Sequence, residues 1–409
     1  MGLSTAPLPS RTLLVLLVVL TGLGEISTQL LIPSLGVIEA DFAAAQGSAL
    51  VALAAFVGAF GVGQLILGPL SDRVGRRPVL IGGLTLYLLA TLWMLFAGGM
   101  HEFIVARVVQ GLGACAALVL ARAVVRDVWK ERAAPTLALT VIGMLCAIVL
   151  MPALGGLVAT YAGGWRAAVG LSWLIGGLAL LALLALYRES NLKLDPQAGR
   201  LRTLGGHYAS LLSARSYRAF ALALACTYGA MFCFIAGSSP VFVGLLGLTA
   251  TQYGLVFGGI VSGLIVGALC TNRLIARHGA ERIVAIGTSL VALGALATLL
   301  VHELLGLSIF GLFLPQLLLT FGAGMVLPAA VAGAVMPNAH RAGLAAGFMG
   351  FAQMAGGMSA GLVLSRFQDG TALPMIAVHC AFALGAFAAF QILRPRAPGN
   401  VPVAVAKAP

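Results

Sequence analysis

Apolar runs of about eighteen residues or more recur from Thr12 to the Gln391–Leu393 region, separated by short polar segments. A run of about 20 apolar residues is what a helix needs to cross a bilayer's hydrocarbon core. The chain is 60% hydrophobic and only 9% charged, whereas a soluble domain carries roughly a quarter charged residues. Most of its 53 glycines fall inside the apolar runs. In lipid, small residues let helix backbones approach closely, so glycine-rich spans imply a tightly packed bundle. The fold class expected is an all-α membrane protein.

Hydropathy places twelve transmembrane helices near residues 12–36, 48–70, 79–99, 103–126, 134–160, 165–187, 217–244, 250–272, 283–301, 306–335, 341–365 and 371–393. The first run is too long for a signal-peptide core, lacks a clear small-residue cleavage site and leads into further spans, so it reads as a retained helix. With a cytoplasmic N-terminus, only Arg166 and Arg366 fall on the outer face, and Arg107 and Arg122 lie inside the fourth run. Every other Lys and Arg then faces the cytoplasm, as the positive-inside rule requires. The longest polar stretch divides the chain into an N-terminal six-helix half (1–187), a cytoplasmic linker (188–216), a C-terminal half (217–393) and a cytoplasmic tail (394–409). His101-Glu102 and His302-Glu303 form one faint echo between the halves, and the segments Gly68–Arg77 and Gly267–Arg282 form another. Parallel six-helix repeats with pseudo-two-fold symmetry are one transporter plan.

The net charge of +12 follows from these flanking cations and does not indicate nucleic-acid binding, since no basic stretch is interleaved with stacking aromatics. The six cysteines all sit in apolar runs, which fits packing and neither a disulfide framework nor a metal site. Gly111-Leu112-Gly113 follows no strand, so it is a helix contact and not a phosphate loop.

The segment Gly68-Pro69-Leu70-Ser71-Asp72-Arg73-Val74-Gly75-Arg76-Arg77-Pro78 has the chemistry of a hinge. Gly68 and Pro69 should close the second span, Gly75 permits a tight turn, and Pro78 opens the third. Orientation alone needs neither Asp72 nor paired glycines. The segment resembles the loop signature of the major facilitator superfamily, and the resemblance extends along the whole chain. Within it, Thr28-Gln29-Leu30-Leu31-Ile32-Pro33, Arg107-Val108-Val109-Gln110-Gly111 and Arg122-Ala123-Val124-Val125-Arg126-Asp127 are similar to the Bcr/CflA branch of drug:proton antiporters. The resemblance implies that Asp72, Arg76 and Asp127, with Gly68, Arg73 and Gly75, form a cytoplasmic latch for the outward-facing state. Two departures stand out. The fifth run carries Met151-Pro152-Ala153-Leu154-Gly155-Gly156 with Met in place of the first signature Gly, and Gln29 stands where the branch commonly has an acid.

Glu25 is the acidic residue deep in a span. An ionisable group there is a functional-site hypothesis by default, because an unpartnered carboxylate is costly as an anion in apolar surroundings and is suited to carrying a proton. The competing reading is a structural carboxylate paired with Arg107 or Arg122. Thr21, Glu25, Thr28 and Ile32 follow helical spacing, with Gln29 alongside. The resemblance further implies that Arg107 faces the cavity and influences the Glu25 proton. It places the cavity between spans one, four, seven and ten, lined by Tyr228, Met231, Phe232 and Phe234 and by Phe313 and Gln316. Aromatic and Met surfaces suit varied apolar ligands.

The expected function is proton-coupled efflux of small, largely apolar molecules by a monomer in the bacterial inner membrane, with both termini cytoplasmic. The partners expected are a small-molecule substrate, protons and the lipid bilayer. No enzyme activity, cofactor, metal, nucleic acid or ATP is expected. Export of an endogenous metabolite such as a siderophore, import of a nutrient by symport, and a receptor or assembly factor without transport are the alternatives.

Overall fold

A computed structural model describes residues 10–191, 194–195 and 201–394; Asp195-Pro196 in part, Gly199 and most of the expected C-terminal tail lie outside them. The described helices are α1 (Arg11–Gln29), α2 (Leu35–Asp41), α3 (Ser48–Val74), α4 (Arg76–Leu95), α5 (Met100–Trp129), α6 (Ala133–Tyr161), α7 (Trp165–Leu186), α8 (Leu201–Ser213), α9 (Arg215–Ser239), α10 (Ala250–Leu305), α11 (Ile309–Val335), α12 (Ala342–Phe367) and α13 (Leu373–Leu393). No strand occurs among the described residues. Ten helical segments there are long and apolar enough to cross a membrane. Two are far longer than one crossing needs, Met100–Tyr161 with 62 residues and Gln252–Leu305 with 54; a straight helix of the shorter would reach about 80 Å. Each is interrupted. Lys130, at φ 44, opens a 3₁₀ turn over Lys130–Arg132, and Gly279 leaves helical geometry inside α10 at φ 76, ψ 158.

Caps start several helices where sequence chemistry provides them. Ser308 accepts from the Gly311 N–H before α11, and Thr249 and Gln252 form a reciprocal capping box before α10. The first run is not one continuous helix. α1 stops at Gln29, and a 3₁₀ turn over Ile32–Ser34 leads to α2, because Pro33 offers no N–H and disfavours helical geometry in the residue before it.

One reading at the end of the second span needs correction. Gly68 and Pro69 do not end the second span, since α3 continues through Pro69 to Val74. A proline inside a helix strips the carbonyl four residues earlier of its donor, here that of Leu65. The Tyr208 hydroxyl of α8 donates to that carbonyl at 3.2 Å. Within the stretch 188–216, α8 occupies 201–213. The Tyr208 ring lies 5.7 Å from that of Phe348 in α12, so α8 touches α3 and α12 at once.

Small residues set the helix spacing. On the α3–α12 seam Gly58 faces Met358, Gly61 faces Met354, Gly350 faces Gln64 and Gly361 faces Ala54. On the α6–α10 contact Gly254 sits against Ala153. Gly113 of α5 abuts the α4 backbone at Gly83 and Tyr87, the packing role expected for Gly111-Leu112-Gly113. Close backbone approach of this kind is how helices associate where lipid is as apolar as the side chains. All six cysteines are free thiols. His101-Glu102 begins α5 whereas His302-Glu303 ends α10, so this echo joins opposite helix ends. The second echo is geometric: Gly75 at φ 110 and Gly279 at φ 76 both turn the chain between helical stretches in the left-handed region.

Candidate functional site

Glu25 lies one turn before the end of α1 and borders two small adjoining cavities of about 30 Å³ each. The first is walled by α1, α3, α9 and α12 through Glu25, Thr28, Gln29, Phe56, Phe60, Tyr228, Phe232 and Met354. The second adds α6, α10 and α11 through Ile148, Val261, Leu264 and Thr320, and Met231 and Phe234 of α9. Glu25, Gln29, Tyr228 and Ile235 line both. The 3.6-residue period puts Glu25, Thr28 and Gln29 on one face of α1. No Lys, Arg or His lines either cavity. The nearest donor to the carboxylate is the Gln29 amide, at a long 3.5 Å, and the Gln29 Oε1 is buried with no partner. The Thr28 hydroxyl is used by its own helix, donating to the Gly24 carbonyl at 3.0 Å.

Thr21, Phe313 and Gln316 are not among the lining residues. Thr21 is buried and donates to the Leu17 carbonyl. Phe313 packs where a Cβ on Gly259 would stand. The Gln316 amide lies 3.0 Å from His379 Nε2, and His379 Nδ1 lies 3.0 Å from the Ala230 carbonyl. That chain ties α11, α13 and α9 together behind the cavity. His379 had no distinguishing sequence signal beyond being a histidine in an apolar run.

Arg107 is fully buried in α5 and apart from Glu25. Its Nη1 donates to Gln110 Oε1 at 2.6 Å, and the Gln110 amide donates to Thr91 at 2.8 Å. The guanidinium stacks over the Phe56 ring, 4.1 Å from its centroid. Phe56 is itself a wall of the first cavity, so an aromatic ring separates the cation from the space that Glu25 faces.

At the junction of α3 and α4, Arg76 bridges two carboxylates, with Nη1 2.6 Å from Asp72 and Nε 3.2 Å from Asp127, and it also donates to the Ser71 hydroxyl. Ser190 donates to Asp127 at 3.2 Å. Glu189 accepts from the Arg76 and Arg77 N–H groups at 3.0 and 2.9 Å, which caps the first turn of α4 and places a negative charge at the positive end of its dipole. A Cβ on Gly75 would stand 2.7 Å from a Glu189 oxygen, a second reason besides φ for glycine there. The Gly68 carbonyl accepts from the Ser71 hydroxyl at 2.7 Å. Arg73 is exposed beside this cluster.

Residues 14–361 match the Major Facilitator Superfamily. The chain belongs to that superfamily. Among similar facilitators, Multidrug resistance protein D of Escherichia coli is 29% identical, over 84% of this chain and 86% of its own. The Chloramphenicol resistance protein of Pseudomonas aeruginosa is 28% identical, over 78% and 75%. An uncharacterized MFS-type transporter, YdgK of Bacillus subtilis, is 28% identical over 94% and 96%. These relatives, with a bicyclomycin resistance protein homolog of Haemophilus influenzae at 24%, agree with the Bcr/CflA branch. In fold, the human organic anion transporter MFSD10 superposes with a TM-score of 0.68 at 18% identity, over 94% of this chain and all of that one. A bacterial homolog of the lysosomal transporter Spinster gives the same score at 13% identity, over 94% and 95%. As facilitators, these proteins are transporters and not enzymes.

Sequence reasoning drew the facilitator's cavity from four helices and so missed the walls that α3, α6, α10 and α12 supply. Phe56 and Phe60 have the i, i+4 spacing of a helix face, a signal that was present and unused. Glu189, 113 residues from the backbone it caps, left no local pattern to find.

Proposed function

We propose that this facilitator exports small, largely apolar molecules from the cytoplasm in exchange for protons, and that Glu25 carries the proton. The observation that carries the reading is a carboxylate facing an aromatic cavity with no cation among the lining residues. Such a group is stabilised as an anion only by what enters the cavity, and otherwise by a proton. Substrate and proton therefore compete, and linkage makes the competition reciprocal. The names of the relatives from E. coli and P. aeruginosa support drugs as cargo.

The proposed architecture has twelve spans in two six-helix halves, residues 1–187 and 217–393, joined by 188–216, in the inner membrane with both termini cytoplasmic. In this reading Met100–Tyr161 and Gln252–Leu305 each cross twice. The interruptions at Lys130–Arg132 and Gly279 lie among Arg126, Lys130, Arg132, Arg273, Arg277 and Arg282, which suits two cytoplasmic turns. The seams α3–α12 and α6–α10 are then the surfaces on which the halves rock, and the Asp72–Arg76–Asp127 cluster is a latch remade in each cycle. A ligand shifts that equilibrium only through its different affinities for the two states.

The test is a proton count. Chloramphenicol added to purified protein in weak buffer should release protons, and the Glu25→Gln protein should release none. Proton uptake on addition would indicate symport and overturn efflux.

A further inference from the structure

The cavity presents a carboxylate and no cation, yet a guanidinium lies just behind one wall. The Arg107 side chain is fully buried, and among the described residues it takes part in no ion pair. One of its nitrogens is held by Gln110; its Nε and Nη2 are buried with no partner. The Gln110 amide nitrogen, a donor like the guanidinium, goes to Thr91. The face of Phe56 lies over the cation at 4.1 Å, and that contact recovers part of the cost of burial. The ring cannot easily drift. A Cβ on Gly111 would stand 2.5 Å from the Phe56 carbonyl oxygen, so α5 and α3 meet backbone to backbone at this level. Phe60 stacks with the ring, centroids 6.0 Å apart.

Building on the proposed substrate cavity, we propose that Phe56 determines charge preference: its ring screens Arg107 and covers a latent subsite for a carboxylate or similar anion. With the ring in place, an entering molecule meets Glu25 and aromatic walls, which favours neutral and cationic cargo and repels anions. With the ring removed, the guanidinium, whose Nε and Nη2 have no partner, is uncovered on the cavity side, and a planar guanidinium pairs well with a carboxylate. The specificity residue is therefore the apolar one, and the charge it governs is already built in.

The experiment measures binding of 4-nitrobenzoate and its methyl ester to purified protein at one fixed pH. The wild type should bind the ester in preference to the acid. Phe56→Ala should raise affinity for the acid relative to the ester about tenfold or more, the gain expected of hydrogen bonds to a charged group. Adding Arg107→Gln to Phe56→Ala should cancel the gain. Phe56→Leu, a gentler change, should move the acid the same way by a smaller factor and serves if the alanine protein fails to fold. An acid affinity unmoved in both variants while the ester still binds overturns the screen, as does a gain that survives Arg107→Gln. Failure of the ester to bind any of these proteins sinks the cavity reading itself, and the screen with it.

Discussion

Around Arg76 the protein brings opposite charges together, and around Glu25 it keeps them apart. Arg76 touches Asp72, Asp127 and Ser71, while Glu189 nearby accepts from two backbone N–H groups. Glu25 has one long contact to an amide, and the Arg107 guanidinium packs over a phenyl ring of the cavity wall. A network whose partners are present can only lose contacts when helices move, so it suits a latch. A cavity whose polar groups lack partners can only gain contacts, and only from something that arrives. Unsatisfied buried groups are expensive, and their concentration at one place argues that the expense serves binding.

The contrast can be broken most severely at Glu25. Glu25→Gln keeps the shape and leaves nothing to titrate, so proton-driven accumulation in inverted vesicles should fall to background while substrate counterflow persists. Concentration of substrate by this variant would move coupling elsewhere. At the other pole, Asp72→Asn should leave the protein folded, because a half-exposed ion pair contributes about 0–1 kcal/mol. Turnover should nevertheless drop by up to about fivefold, the kinetic equivalent of about 1 kcal/mol; unchanged turnover at equal expression would reduce the pair to decoration. Glu189→Ala removes a cap and should cost about 1 kcal/mol, read as a lowered midpoint of thermal unfolding in detergent, with Glu189→Gln milder. Equal midpoints for the three proteins would mean that water replaces the cap. Smallest of all, Tyr208→Phe deletes one hydroxyl and should cost about 0.5–1.5 kcal/mol in the same assay, without altering the binding preferences of the cavity.

The parts of this arrangement that could be read from the sequence are those that violate their surroundings. A glutamate inside an apolar run is visible because lipid tolerates it so poorly. A loop with an aspartate among arginines and glycines is visible because topology alone does not need it. Phe56 was not visible as a cavity wall, since an aromatic residue in an apolar helix has the same local context whether it meets lipid, a helix or a ligand. Pro69 misled in the opposite direction. Its local propensity says that the helix stops, and a hydroxyl from residue 208 repairs the break. Glu25 could be located, but the separation of Arg107 from it could not, because only the packing of α3 against α5 inserts the ring between them.

The hydroxyl on the Leu65 carbonyl has a consequence for how the chain is assembled. α8 grips α3 through that bond and α12 through the ring of Phe348, and neither grip depends on the peptide segment that precedes it. A gene divided after Asp195, with 1–195 and 196–409 synthesised as separate polypeptides in one cell, should therefore still yield a transporting pair. Asp195 belongs with the first piece, where its N–H donates to the Asp72 carbonyl at 3.0 Å. A second piece that starts at Arg215 lacks the clasp, leaves a bare carbonyl beside Pro69, and should pair poorly with the same first piece.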